Sequence, residues 1–310
     1  MRRLSSVKTS TLQEGSVAGW LDVAEGADRP DVWRLLALGL MHLGCCAVVW
    51  VGWSWTAVGL AWFCYVTRAF GLTAFYHRYF SHRAFKTSRW FQFVGAFVGC
   101  LALQKGPLWW AAHHRVHHRR SDREGDVHSP RVHGFLWAHM GWFLTPRNNV
   151  LRTELVRDWL KFPELHWLDR LAPLVAVAFA IGTYTLGELL SRAVPGLGTS
   201  GPQVFIWCFF LSTVALYHAT YSVNSLAHCF GHRRFATEDD SRNNAWVALL
   251  TLGEGWHNNH HHYPSAARQG FYPWEIDPTY YILRGLERLG LVWELRGVPP
   301  HVLASGTQTP

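Results

Sequence analysis

The chain has 310 residues, of which 49% are hydrophobic, 15% aromatic and only 16% charged, and its net charge is +8. A mean hydropathy near zero excludes a chain embedded in lipid throughout, and eighteen tryptophans sit badly with an ordinary soluble domain. Trp and Tyr favour membrane interfaces, where one end of the ring is apolar and the other wet, so a part-membrane chain with a polar cap is expected.

Residues 1–31 are polar, with Gly, Ser and Asp, and read as a cytosolic tail. No apolar run precedes Val32, so no cleavable signal is expected. Four stretches then approach the roughly 20 apolar residues that a membrane-spanning helix needs. They are 35–53 with no charge, 55–75 with Arg68 alone, 171–190 with Glu188 near its end, and 204–221 with none. Arg68 is costly against lipid and should face protein or snorkel. Gly52-Trp53-Ser54-Trp55 reads as a tight turn between the first pair, and a Gly- and Pro-rich link over 193–202 joins the second. The run 90–103 is too short to span and reads as a re-entrant or interfacial helix.

The expected fold is all-α and integral to the membrane. Four spans form two hairpins, and segments 76–170 and 222–304 form a helical cap on the side of both termini. Residues 32–304 are one domain, and 305–310 a short C-terminal tail. Segment 76–170 carries fifteen Lys and Arg, against Arg192 alone in the two turns. Basic loops stay inside, which puts cap and termini in the cytoplasm. The same basic loop suits anionic lipid or an anionic head group rather than nucleic acid. The six cysteines lie in or beside apolar stretches with no CxxC pair, and are expected as reduced packing residues.

The chemistry is expected in the histidines. Nine of the nineteen fall into clusters with metal-ligand spacing. These are His77 and His82 in HRYFSH, His114, His117 and His118 in HRVHH, His228 in NSLAH, and His257, His260 and His261 in HNNHH. Imidazole is the commonest side-chain metal ligand and suits iron, zinc, copper or nickel. Nine are too many for one tetrahedral ion and enough for two. Residues three and four apart share a helix face, so each HxxHH is expected to aim three imidazoles at one point. Five residues turn through about 140° on a helix, so His77 and His82 converge only if the helix ends or bends between them. His113 and His262 flank the clusters as passengers. His139 and His218 read as packed or tunnel-lining. A metal transporter would need ionisable groups along a mid-membrane path, where only Arg68 and His42 stand. A haem cytochrome would need paired histidines deep in facing helices.

These motifs resemble the membrane fatty-acid desaturases, most closely the delta-9 acyl-CoA (stearoyl-CoA-like) type in its bacterial form. The likeness is carried by YHRYFSHRAFKTSRWFQF around the first cluster and by HHRVHHRRSD and GFLWAHMGWFL around the second. NSLAH, followed by GEGWHNNHHHYP, completes it, over roughly residues 35–300. The resemblance implies two iron ions held by the nine histidines, O2 as oxidant, and a cis double bond, at delta-9, placed in a long-chain acyl thioester. No catalytic side chain is expected beyond the metal ligands. Asn224, one turn before His228, is implied to reach the site through water. Animal stearoyl-CoA enzymes carry Arg-Asp before the second cluster, where this chain has Ala112 and His113. Fatty acyl-CoA, acyl carrier protein and lipid-bound acyl chains therefore all stay open as carriers. No fused cytochrome b5 segment is visible, so electrons are expected from a separate ferredoxin, rubredoxin or cytochrome b5 type protein with its reductase. A lipid or alkyl hydroxylase on the same scaffold is the alternative, since both reactions begin with hydrogen abstraction.

Glu254 is expected behind a ligand imidazole, or else as a helix-start carboxylate. Thr73, Ala69 and Tyr65 step back from His77 in fours and are expected along a substrate tunnel, with Tyr65 and Ala69 closing its far end. Trp109 and Trp110 line the tunnel bend or anchor the interface.

Overall fold

The computed structural model describes residues 29–306; the expected tails at 1–28 and 307–310 lie outside the described residues. The protein is mostly helical, and four helices are long and apolar enough to cross a membrane: Val32–Val51, Trp55–Ser81, Pro163–Ala193 and Gly201–Cys229. These are called the first to fourth spans below. The second, third and fourth run well past the apolar stretches expected from sequence. A helix continues through polar residues until a cap or turn satisfies its last carbonyls. Two of these continuations carry the chemistry, since His77 lies on the second span and His228 on the fourth.

Local signals set the starts. The Asp31 side chain accepts the Arg34 N–H at 3.0 Å and caps the first span. Ser54 accepts the Ala57 N–H at 3.1 Å and caps the second. The third and fourth spans pack side by side. The first and second, although joined by the turn after Val51, each lean on the fourth, which is the central post of the bundle. Arg68 faces that post. It is buried, donating from Nη1 to Thr213 Oγ1 at 2.6 Å, from Nη2 to Ser212 Oγ and from Nε to the Cys64 carbonyl, with Phe179 stacked at 4.7 Å.

The lower half of the second span, Gly71–Ser81, winds as a π-helix. Its core rings, including Phe75, Tyr76 and Phe80, join Phe85, Leu108 and Trp159 in the main apolar cluster. Helix Arg89–Cys100 packs on this segment and is capped by Ser88. Contact there is backbone to backbone: a Cβ on Gly71 would lie 2.6 Å from the Gly99 nitrogen. Helix Pro107–Arg120 packs on the other side. A short antiparallel pair, Lys86↔Trp293 and Thr87↔Val292, ties the C-terminal segment to the chain following the π-helix. All six cysteines are free thiols.

Candidate metal centre

All nine clustered histidines come together, in two groups of five and four. His77, His82, His114, His118 and His260 form one; His117, His228, His257 and His261 form the other. Within each group one ligand atom per ring lies within 4.8 Å of all the others. The HxxHH motifs do not aim three rings at one point. His114 and His118 join the first group and His117 the second, while His257 and His261 join the second and His260 the first. The helix explains the split. Each residue turns about 100°, so i+4 falls about 40° to one side of i and i+3 about 60° to the other. HxxHH is thus a two-sided motif, and the two motifs contribute in opposite ratios.

His77 and His82 meet by another device. The helix widens rather than bending: the His82 N–H donates to the His77 carbonyl at 3.2 Å, an i to i+5 bond. Such a bond sets residue i+5 near residue i on one face, and the ring centroids stand 4.9 Å apart.

The inner nitrogens face one another. His77 Nε2 is 3.0 Å from His260 Nε2, His82 Nε2 is 2.8 Å from His114 Nε2, and His228 Nε2 is 3.0 Å from His257 Nε2. The outer nitrogens are held by acids. His228 Nδ1 lies 2.7 Å from Asp122, His117 Nδ1 3.0 Å from Asp126 and His261 Nδ1 2.6 Å from Asp239, and His77 Nδ1 contacts Glu254. An Nδ1–H given to a carboxylate leaves the lone pair on Nε2. His117 and His261 are both fixed in this way, yet their Nε2 atoms are only 3.3 Å apart. Two lone pairs at that distance repel, and a cation among them removes the conflict. The donor set therefore fits metal ions.

Electrostatics agree with this. Burial first, then the neighbouring imidazoles, push His82, His114, His118, His257 and His260 well below their usual 6.5. These rings are neutral and able to ligate. Burial alone would raise Asp122, Asp126 and Asp239, but their histidine and backbone partners hold them well below the carboxylate range. Sequence reasoning found Glu254 and missed the three aspartates. They come from loops, where no helical period announces them. Asp122 and Asp126 follow the second cluster among arginines and look like a solvated turn. Glu254 is itself bound by Arg78 at 3.0 and 3.2 Å and by Gln269 at 3.0 Å. Gln269, also 3.2 Å from His77 Nδ1, was missed as well.

The profile of the fatty acid desaturase family matches residues 53–285. The chain belongs to the fatty acid desaturase family. It is 36% identical over 279 residues to an sn-2 palmitoyl-lipid 9-desaturase of Nostoc sp., covering 88% of this chain and 93% of that one. It is also 36% identical to an acyl-CoA 5-desaturase of Anemone leveillei, over 88% of this chain and 81% of its relative. The same identity holds for a chloroplastic palmitoyl-monogalactosyldiacylglycerol delta-7 desaturase of Arabidopsis thaliana, over 78% and 63%. Membership of the desaturases makes this chain an oxidoreductase of fatty-acid metabolism. Carrier and bond position differ among the names of its relatives.

In this desaturase two neighbouring cavities reach the histidines. The larger, about 270 Å³, runs from Arg34 and Lys105 past Trp109 and Tyr217 to His114. The smaller, about 60 Å³, lies beyond the rings against Ala69, Thr73, Leu216 and Thr251. Trp110, His114, Thr220 and Asn224 line both. Trp110 stacks on His114 at 5.1 Å, and Trp109 stacks on Trp142. Of the expected tunnel residues, Ala69, Thr73, Trp109 and Trp110 line the cavities, whereas Tyr65 does not. Its hydroxyl donates to the Leu250 carbonyl at 2.5 Å, and it packs against the main apolar cluster. His139 and His218 line neither cavity. They form a hydrogen-bonded row with His42, with ring nitrogens 3.0 and 2.9 Å apart. His113 and His262 stay outside both groups, His113 donating from Nδ1 to the Trp109 carbonyl.

Proposed function

We propose that this chain is an O2-dependent di-iron acyl desaturase that places a cis double bond, at delta-9, in a saturated long-chain fatty acyl group. One observation carries the reading: two groups of inward-facing imidazoles stand where two largely apolar cavities meet the same four residues. One iron would be held by the group of five histidines and one by the group of four. When bound, the ions would supply the O2 activation that an unactivated methylene requires.

The protein's own residues do the rest. Asp122, Asp126, Asp239 and Glu254 fix the tautomer and aim of the rings they touch. They also place negative charge just behind the histidines, so the set is less purely imidazole than the sequence implies. Trp110 walls both cavities and Asn224 offers each a polar edge. Buried apolar walls exclude water and hold the chain against the rings. Ala69 and Thr73 end the inner cavity and set how many carbons pass beyond the reacting pair.

Four spans in two hairpins, with cap, site and termini in the cytoplasm, accord with the excess of Lys and Arg in the cap. The acyl group arrives on CoA, acyl carrier protein or lipid, and electrons arrive from a separate ferredoxin, rubredoxin or cytochrome b5 type protein. The test is the fatty-acid profile, by gas chromatography and mass spectrometry, of a desaturase-deficient host expressing this chain beside a His117→Ala control. New cis-9 monoenes that vanish in the control support the reading. Hydroxylated acids in their place would replace it with the hydroxylase.

A further inference from the structure

One apolar surface of the cap belongs neither to the histidine groups nor to the cavities. Residues 243–253 carry no charge, and within them helix Ala245–Leu250 packs on the fourth span. The helix buries Val247 and Ala248 and turns Trp246, Leu249 and Leu250 outward, 79, 64 and 54% exposed. Spacings of three and four put these on one face. The depth of that face is set by the second span. Tyr65 stands ten residues after Trp55, where that span begins, so it lies about 15 Å along the axis at 1.5 Å per residue. Trp53 and Trp55 are exposed at the turn and mark that end as an interface. A hydrocarbon core is about 30 Å thick, which puts Tyr65 near its middle. The Tyr65 hydroxyl donates to the Leu250 carbonyl at 2.5 Å, so helix Ala245–Leu250 is held below the cap-side surface. Trp62, one turn back from Tyr65, is exposed as well.

The backbone agrees with that depth. In hydrocarbon no water reaches the open groups of a helix end. Here Asn244 Oδ1 accepts the Trp246 and Val247 N–H groups, each at 3.1 Å. At the other end the Thr251 hydroxyl donates to the Val247 carbonyl at 2.6 Å and the Gly253 N–H to the Ala248 carbonyl at 2.7 Å, while Tyr65 takes the Leu250 carbonyl. Side chains and loop do what water does for a surface helix. A second tie stands nearer the cap on the same span. Thr73 shares a hydrogen bond of 2.7 Å with Thr279, at the start of helix Pro278–Arg288. Ile276, Tyr281 and Ile282 are exposed around it, and Arg284 and Arg288 are exposed on the same helix. An apolar edge beside basic residues suits the head-group boundary.

We propose that the C-terminal half of the cap is bedded in the bilayer. Trp246, Leu249 and Leu250 lie against lipid chains beside the second and fourth spans, and Ile276, Tyr281 and Ile282 rest at the cap-side interface. The contact holds whatever the substrate and the reaction. Thr251, which follows the helix directly, lines the smaller cavity, so lipid bears on the segment that walls it.

The test uses the full chain in phosphatidylcholine vesicles with one of three probes at a time. The first is a phosphatidylcholine bearing a diazirine at the middle of its acyl chain, the second bears it beside the ester, and the third is a water-soluble diazirine. After irradiation, adducts are mapped by mass spectrometry. The mid-chain probe should label Trp246, Leu249 and Leu250 to the same extent as Trp62, and the ester probe should label Ile276, Tyr281 and Ile282. The aqueous probe should label the exposed Glu124 and Glu238 several-fold more than helix Ala245–Leu250. Aqueous labelling of Trp246 or Leu249 at the level of Glu238 would overturn the proposal. Labelling of that helix by the ester probe in place of the mid-chain one would set it at the interface and also overturn it. So would labelling by no probe, as a second copy of the chain covering the face would give.

Discussion

Asp122→Asn tests how the histidines are held. Asp122 receives three donors: His228 Nδ1 at 2.7 Å and the Asp240 N–H at 2.8 Å on Oδ2, and the Ser129 hydroxyl at 2.7 Å on Oδ1. Asn offers one acceptor and one donor. The cheaper orientation keeps its oxygen toward His228 and turns its NH2 toward Ser129, whose hydroxyl can rotate to accept. The fold should survive, because Asp122 has φ +56°, a conformation Asn tolerates almost as Asp does. What is lost is the charge on the acceptor. A charge-assisted bond is roughly twice a neutral one, which leaves a deficit of about 1 kcal/mol on the His228 tautomer and aim. Metal affinity should fall about fivefold, just under the usual range for losing such a partner. The assay is competition with a chelator of known affinity, beside a thermal melt by circular dichroism. Unchanged affinity in a protein that melts like its parent would refute the idea that the carboxylate aims the ring.

Further outcomes follow from the same structure. Ala69→Phe pushes a ring into the inner cavity of about 60 Å³; each methylene excluded is worth about 1–3 kcal/mol, so products should shorten, and an unchanged chain-length profile from active enzyme would refute it. Arg78→Met strips the shared partner from buried Glu254 and Asp277 and should cost about 3–5 kcal/mol; a variant melting with its parent would be the contrary result. Stripping bound metal with a chelator should lower the melting temperature, and reloading should restore it, because ligand binding stabilises only the folded chain. A melt indifferent to chelation and reloading would mean that the paired lone pairs are relieved by protonation instead.

The sequence made the spans and the histidines legible because both are local patterns. Apolar length marks the spans, although the helices run on to Ser81 and Cys229, where polar residues hide the continuation. Spacing picked out nine histidines, yet the way they divide needed the third dimension. The π-helical turn at His77 is invisible to a reading that assumes 3.6 residues per turn. The i+3 and i+4 members of HxxHH look alike in one dimension but point to opposite flanks. Asp122, Asp126, Asp239 and Gln269 reach the rings from loops, and no sequence separation encodes that arrival. Tyr65 shows how a shared face can part company with a shared cavity. It stands in step with Ala69, but a backbone carbonyl at Leu250 claims its hydroxyl.

Because each HxxHH straddles both groups, the helix is a ruler as well as a scaffold. Its pitch fixes how far apart the two sets of rings can stand. One residue inserted between His114 and His117 would rotate the trailing rings by about 100° and misaim ligands of both groups at once. Length variation that a loop can absorb is therefore costly across these few positions, because it displaces ligands of both groups together.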